Sequence, residues 1–340
     1  MTSPTIEPPT RWGILATGRI SRSFARNLHE VPGAVIAAVG SRSLEGAEAF
    51  ARELGDDATR AHPSYDALVA DPDVDVVYVG SPHAVHLEHA RLAFAHGKPV
   101  LCEKPLTLNR ADGEALFEAA GDLFCMEAMW MACHPLIRDV RERLVAGEFG
   151  TPRQIHADLG FVVEADASAR MWDPALGAGA LLDMGIYPLT FARIMLGSFS
   201  DVAATGVLSE SGIDLDVAVA ARHEGGAVSA LTASMTSTSP RDASIATDEG
   251  LLELPDFHHP PYAVWTPTDG EPRRLESPAP VLGTGLGNEA AHVQECLRLG
   301  LTESPLVPRA QTLELLGVMD AVRRQLGVRY PGEGTDHTGG

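Results

Sequence analysis

The strongest constraint on this chain is an alternation. Between Trp12 and about Phe124, short runs that are apolar throughout are followed by amphipathic segments: residues 13–15 then 20–28, 35–39 then 44–54, 74–79 then 84–96, and 100–102. A strand covered on both faces reads as an unbroken apolar run. Strands of that kind alternating with helices specify a parallel sheet with helices on both sides, a doubly wound α/β domain. Gly97 stands where a helix C-terminal cap belongs, and Pro99 opens the next strand.

Past about Gly150 the texture changes. Leu215, Val217 and Val219 alternate with Asp214, Asp216 and Ala218, a period of two, and further strand candidates lie at 154–161, 202–208, 227–236 and 251–254. Runs of strands with few helices between them predict an α+β domain with a large open, mostly antiparallel sheet. Its helices are expected at 179–196, 289–299 and 309–326. A chain of 340 residues exceeds what one core usually supports, and the expected division is a flexible leader at 1–10, a first domain at 11–125, a second at 126–330 and a disordered tail at 331–340.

The charged residues are 46 acidic against 26 basic, a net charge of -20, with no Lys/Arg stripe, so nucleic acid is not an expected partner. Any pocket for an anion must then rely on backbone N–H groups or an isolated arginine. No apolar run approaches the ~20 residues that a membrane-spanning helix needs. The Pro/Thr-rich leader has neither a basic segment nor an apolar core, and the four cysteines never form a C-x-x-C pair, which together suit a cytoplasmic protein with reduced thiols. His83, His86 and His89 recur at spacing three but lack nearby thiolates or carboxylates, and His258-His259-Pro260-Pro261 reads as a loop. No metal site is expected.

The run from Ala16 through Thr17, Gly18, Arg19 and Ile20 to Ser21 has small residues at the places of a Gly-x-Gly-x-x-Gly turn. Alone it reads equally well as an ordinary tight turn between strand and helix. Its place after the first strand favours a dinucleotide, whose phosphates would meet a helix N-terminus. Ala16 replaces the first glycine, which suits a residue that keeps a negative φ. The second strand ends in Ser41-Arg42-Ser43 with no carboxylate for a ribose 2′-hydroxyl, and Arg42 and Ser41 suit a 2′-phosphate. NADP is expected, with NAD as the alternative. Two further strands end in polar groups, Ser81-Pro82-His83 with His86, and Glu103-Lys104-Pro105; a charged pair directly after a buried strand is either a structural ion pair or an active site.

Together with Gly179-Ala180-Leu181-Leu182-Asp183-Met184-Gly185-Ile186-Tyr187, these motifs resemble the Gfo/Idh/MocA family of oxidoreductases over nearly the whole chain. The resemblance implies an NADP-binding Rossmann domain followed by a substrate and oligomerisation domain, with Lys104 catalytic and Asp183 and residue 187 facing the nicotinamide. Many members carry His at the last position. Tyr187 here, with Met126-Glu127-Ala128-Met129-Trp130 and the stretch from Glu303 to Pro308, is similar to the branch of dimeric dihydrodiol dehydrogenases and NADP-dependent D-xylose 1-dehydrogenases.

Independently, Asp183 and Tyr187 are i and i+4 and so share one face of a helix. Oxidation of a sugar or diol secondary alcohol, or of a hemiacetal hydroxyl, needs a group that moves the hydroxyl proton. A phenol titrates near ~10 and a neighbouring ammonium stabilises its anion, which pairs Tyr187 with Lys104 as acid and base. Asp183 positions the substrate or Lys104. Trp130, Phe161 and Trp172 are candidate walls for a small-molecule substrate, with Arg170 as a donor to its hydroxyls, and each serves equally well as a core or surface residue. Glu103, His83 and His86 are assigned to the cofactor side and His89 to the surface. A homodimer or higher homo-oligomer is expected. The competing readings are a non-catalytic NADP-binding regulator, a sugar ketone reductase and an NAD-dependent glycoside hydrolase.

Overall fold

The computed structural model describes residues 8–164 and 169–331, so residues 1–7 of the expected leader and 332–340 of the expected tail lie outside the described residues, while Thr10 already opens the first strand. The chain divides into two compact units. The first comprises Met1–Thr107, Ala111–His134 and Pro280–Thr312, the second Leu108–Arg110, Pro135–Ala279 and Leu313–Gly340.

The first unit holds a six-stranded sheet of β1 (Thr10–Leu15), β2 (Ala34–Gly40), β3 (Arg60–His62), β4 (Val76–Val79), β5 (Val100–Glu103) and β6 (Cys125–Ala128), in the order β3-β2-β1-β4-β5-β6. All neighbours pair in parallel. The runs that read as apolar throughout are the ones buried on both faces, and Ile14, Val76, Val77, Leu101 and Met126 are fully covered. The order reverses beside β1, so the turns after β1, β2, β4 and β5 open at the carboxyl edge where this topology leaves a crevice. Pro280–Thr312 belongs to this unit, although a single cut near residue 125 assigns it to the other. Its helix Leu286–Arg298 buries Leu286, Ala290, Val293 and Cys296, one face of a 3.6-residue period. A return of the chain over so long a separation has no local signature.

The second unit holds an eight-stranded sheet of β7 (Pro152–Gly160), β8 (Phe199–Leu208), β9 (Asp214–His223), β10 (Val228–Ser234), β11 (Ala243–Thr247), β12 (Gly250–Leu254), β13 (Ala263–Pro267) and β14 (Arg273–Leu275), in the order β14-β13-β12-β11-β7-β10-β9-β8. It is antiparallel except for the parallel pair β7 and β10. β10 alternates exposed and buried residues, with Leu231 and Ala233 on the covered side beneath the helix Ile186–Leu196. The expected helix from 179 is split: Leu181–Gly185 forms a π turn before Ile186–Leu196 continues as α-helix. By length and hydropathy Pro174–Leu196 passes as a membrane-crossing segment, contrary to the reading of the bare sequence, but 89% of its apolar window is buried within the protein. Its apolar surface is spent on the core.

Candidate active site

In the first unit, β1 delivers the turn whose residues Gly18, Arg19 and Ile20 are exposed. Ala16 adopts φ 77, correcting the expectation of a negative φ; an L-residue is held there in a region that glycine enters more easily. Gly18 caps the helix Arg19–Leu28 without a side-chain hydrogen bond, so the first-turn N–H groups have no side-chain acceptor. A Cβ at Gly18 would meet only the Gly80 carbonyl, at 3.9 Å, so the space beside Gly18 is open among the described residues. Together the uncapped helix end and the open space fit a pyrophosphate.

At the end of β2, Ser41 is buried while Arg42 is exposed and makes no hydrogen bond or ion pair among the described residues. Ser43 is occupied as the N-cap of the helix Leu44–Leu54, its oxygen accepting from the Gly46 N–H at 3.2 Å. An exposed guanidinium without a carboxylate partner is a fit for a 2′-phosphate.

The turn after β4 is braced from within. His86 is fully buried, its Nε2 2.8 Å from the Ser81 carbonyl and its Nδ1 3.0 Å from that of Pro105. Burial depresses its pKa to about 4. Its ring nitrogens thereby tie the turn after β4 to the one after β5. His89, expected at the surface, turns back so that its Nδ1 lies 2.8 Å from the Ser81 hydroxyl. Pro82 is half-buried and His83 buried, their backbone opening the next helical turn.

β5 ends in Glu103, buried, which accepts from the Tyr78 hydroxyl at 2.5 Å and from the Lys104 backbone N–H at 3.2 Å. The half-buried Lys104 thus leaves the sheet from an anchored carboxylate. Glu127, at the end of β6, accepts from Leu106 N–H at 2.8 Å and Thr312 Oγ1 at 3.1 Å, and burial pushes it up to about 7. Glu289 is fully buried, and neither carboxyl oxygen has a hydrogen-bond partner. Burial first, and the Glu103 charge second, hold it far above the carboxylate range. Neither glutamate stands out in the sequence as a site residue; only their burial marks them.

In the second unit, the π turn carries Asp183 and the following helix Tyr187, both nearly covered. Asp183 accepts from Arg170 at 3.0 Å, which gives that arginine a fixed place. The Tyr187 ring lies 5.4 Å from that of His258, whose own ring is 4.1 Å from His259. Trp172 donates to the Val163 carbonyl at 3.2 Å, and Phe161 is exposed. Trp130 belongs to the first unit, where it lies against the Gly285 turn. Among the described residues no three His, Cys, Asp or Glu side chains are grouped to hold a metal, and all four cysteines are buried without a disulfide.

Comparison with known proteins adds three findings. The model of the Gfo/Idh/MocA oxidoreductase family, described as an NAD-binding Rossmann fold, matches residues 10–127, and that of the family's C-terminal domain matches residues 137–253. A trans-1,2-dihydrobenzene-1,2-diol dehydrogenase of Xenopus tropicalis is 33% identical over 338 residues, covering 95% of this chain and 99% of that protein; its counterpart in Mus musculus is 34% identical over 339 residues, covering 94% and 98%. The crystal structure of KijD10, a 3-ketoreductase from Actinomadura kijaniata with NADP and TDP-benzene, superposes with a TM-score of 0.80 at 26% identity, covering 93% of this chain and 98% of that one. That ketoreductase has also been solved with a lysine changed to alanine and with a tyrosine changed to phenylalanine.

Proposed function

The chain belongs to the Gfo/Idh/MocA family of oxidoreductases, and from that premise we propose that it is an NADP-dependent dehydrogenase of sugar or diol secondary alcohols in which Lys104 and Tyr187 form the acid/base pair. What carries the reading is Lys104 leaving the parallel sheet from the anchored carboxylate of Glu103, in a unit that also offers an uncapped helix N-terminus and an unpaired Arg42. When bound, the nicotinamide supplies the hydride acceptor. Thr17, Gly18, Arg19 and Ile20 present backbone N–H groups to the pyrophosphate, Ser41 and Arg42 hold the 2′-phosphate, and Ser81, Pro82 and His83 line the same edge.

The Lys104 ammonium stabilises Tyr187 as its phenolate, which takes the proton of the substrate hydroxyl and becomes the neutral phenol; in the reverse direction the phenol returns that proton. Asp183, oriented by Arg170, accepts a hydrogen bond from a neighbouring substrate hydroxyl; Phe161, Trp172 and Trp130 offer apolar faces. The diol dehydrogenases similar to this chain favour a vicinal diol, and the 3-ketoreductase favours the reverse direction with the same groups. The outward face of the eight-stranded sheet, with Ala230 and Thr232 exposed, is proposed as the surface of a homo-oligomer in the cytoplasm.

Lys104→Ala and Tyr187→Phe are each expected to lower turnover at least ~100-fold while NADP still binds. Turnover is read as reduced-nicotinamide absorbance against aldoses, polyols and trans-dihydrodiols, with NADP and NAD in parallel. Near-normal activity in either variant would reject the acid/base pair. Bound cofactor with no response to any substrate would point to a regulator.

A further inference from the structure

The π turn that carries Asp183 is held at its entry by a carboxylate from a distant strand. Asp214 opens β9 and is fully buried. Its Oδ2 accepts from the Leu181 N–H at 2.6 Å, across 33 residues of sequence, at a helix start where Ala180 provides no side-chain cap. Its Oδ1 is buried with no hydrogen-bond partner. Gly179 adopts φ 120, and a Cβ there would stand 2.3 Å from Oδ1, so the carboxyl lies flush against this backbone and only glycine fits. One residue earlier, the Ala178 carbonyl accepts from the Tyr330 hydroxyl at 2.6 Å. The segment entering the π turn is thus pinned on both sides.

We propose that Asp214 is a positioning residue whose carboxylate fixes the π turn, and through it the places of Asp183 and Tyr187. The inference rests on the acid/base reading of Tyr187. π turns inside helices cost hydrogen-bond geometry and persist where surrounding groups hold them, and a charged acceptor on a first-turn N–H is such a group. The charged groups that act on Asp214 are Arg323, which favours its anion, and Asp183, which opposes it; Arg323 itself pairs with Asp320 at 2.7 Å and lies over the Tyr330 ring. Burial outweighs the donors and raises Asp214 to about 6, so the clamp gains its charge between mildly acidic and neutral pH.

The test uses the full-length chain with saturating NADP, Asp214→Ala and Asp214→Asn, and Tyr187→Phe as control. Alanine removes the acceptor, and kcat is expected to fall about 10- to 100-fold with NADP affinity unchanged. Asparagine keeps an oxygen for Leu181 but never charges, so it is expected to rescue most of kcat while altering the acid limb of the kcat profile between about pH 5 and pH 7. Full kcat in folded Asp214→Ala overturns the proposal. If that variant does not fold, an unchanged acid limb in Asp214→Asn overturns it. Hydrogen exchange at the amides of Leu181–Gly185, expected to quicken in Asp214→Ala, reads the clamp without turnover. An active Tyr187→Phe therefore defeats the acid/base reading alone, and unaltered exchange defeats the clamp alone.

Discussion

Two buried aspartates, one in each unit, are driven in opposite directions. Asp71, in the first, would also be raised by its burial. Arg60 donates to both its oxygens at 2.7 and 2.8 Å, the Asp73 N–H donates at 2.9 Å, and His62 Nε2 lies at 2.9 Å, so its pKa falls to about 2. Asp214 is the more deeply buried of the two and has one donor from another residue, and it rises to about 6. Burial raises both and Asp214 the more; the donors around Asp71 outweigh it, and the one at Asp214 does not. The first site is a brace, and the second holds a charge at a cost in stability beside the proposed catalytic helix, the pattern expected where position matters more than stability.

The largest effect is expected from removing the brace. Asp71→Ala removes the acceptor of the Asp73 N–H and of two Arg60 donors, leaving Arg60, among the described residues, only its pair with Asp73, and should lower stability by about 2–4 kcal/mol in urea unfolding at pH 7. Because its folded pKa is depressed, the contribution of Asp71 is complete above its unfolded value of 3.8 and is lost as pH falls towards about 2. Arg60 is half-exposed, which limits that acid-sensitive part to about 1–2 kcal/mol. A variant as stable as the parent would show that the donors are not what binds Asp71.

Glu289 takes the opposite case to its limit, since it has no donor at all. With its folded pKa raised, the folded chain keeps a proton that the unfolded chain releases above about 4.5, so stability falls as pH rises past that point. Glu289→Gln should therefore gain about 1–3 kcal/mol at pH 7 and little at pH 4. Asp214→Asn should show the same sign over a narrower window, from 3.8 to about 6, and gain about 1–2 kcal/mol at pH 7. A gain independent of pH in either variant would mean that desolvation of the charge is not the cost.

How much of this is legible in the sequence depends on how far the cause lies along the chain. The alternation of apolar runs, the turn through Gly18, and Lys104 behind β5 are local patterns, and the structure has the expected elements there. The assignment of Asp214 to the polar side of a period-two strand misses its burial, because the first residue of β9 is covered by the Ala178–Leu181 backbone rather than by the sheet. Nothing near Glu289 announces that Glu103, far back in the chain, acts on it. His89 reads as a surface residue from helix phase alone, since its partner Ser81 lies eight residues back in a turn. The π turn leaves no mark in a pattern that suits an α-helix equally well.

The smallest expected effect separates a local device from a ligand contact. Ser43 is a cap of the kind a sequence shows directly, a serine before a helical run, and its oxygen already accepts from the Gly46 N–H. Ser43→Ala should cost about 0.5–1 kcal/mol of stability and leave NADP affinity nearly unchanged. Arg42→Ala, one residue away, should leave stability unchanged and weaken NADP about tenfold or more relative to NAD. The two readouts, urea unfolding and cofactor titration, should therefore exchange places between neighbours. If Ser43→Ala weakens NADP as much as Arg42→Ala does, the hydroxyl serves the phosphate before it serves the helix. The stretch after β2 would then be read as a single phosphate grip rather than a grip followed by a cap.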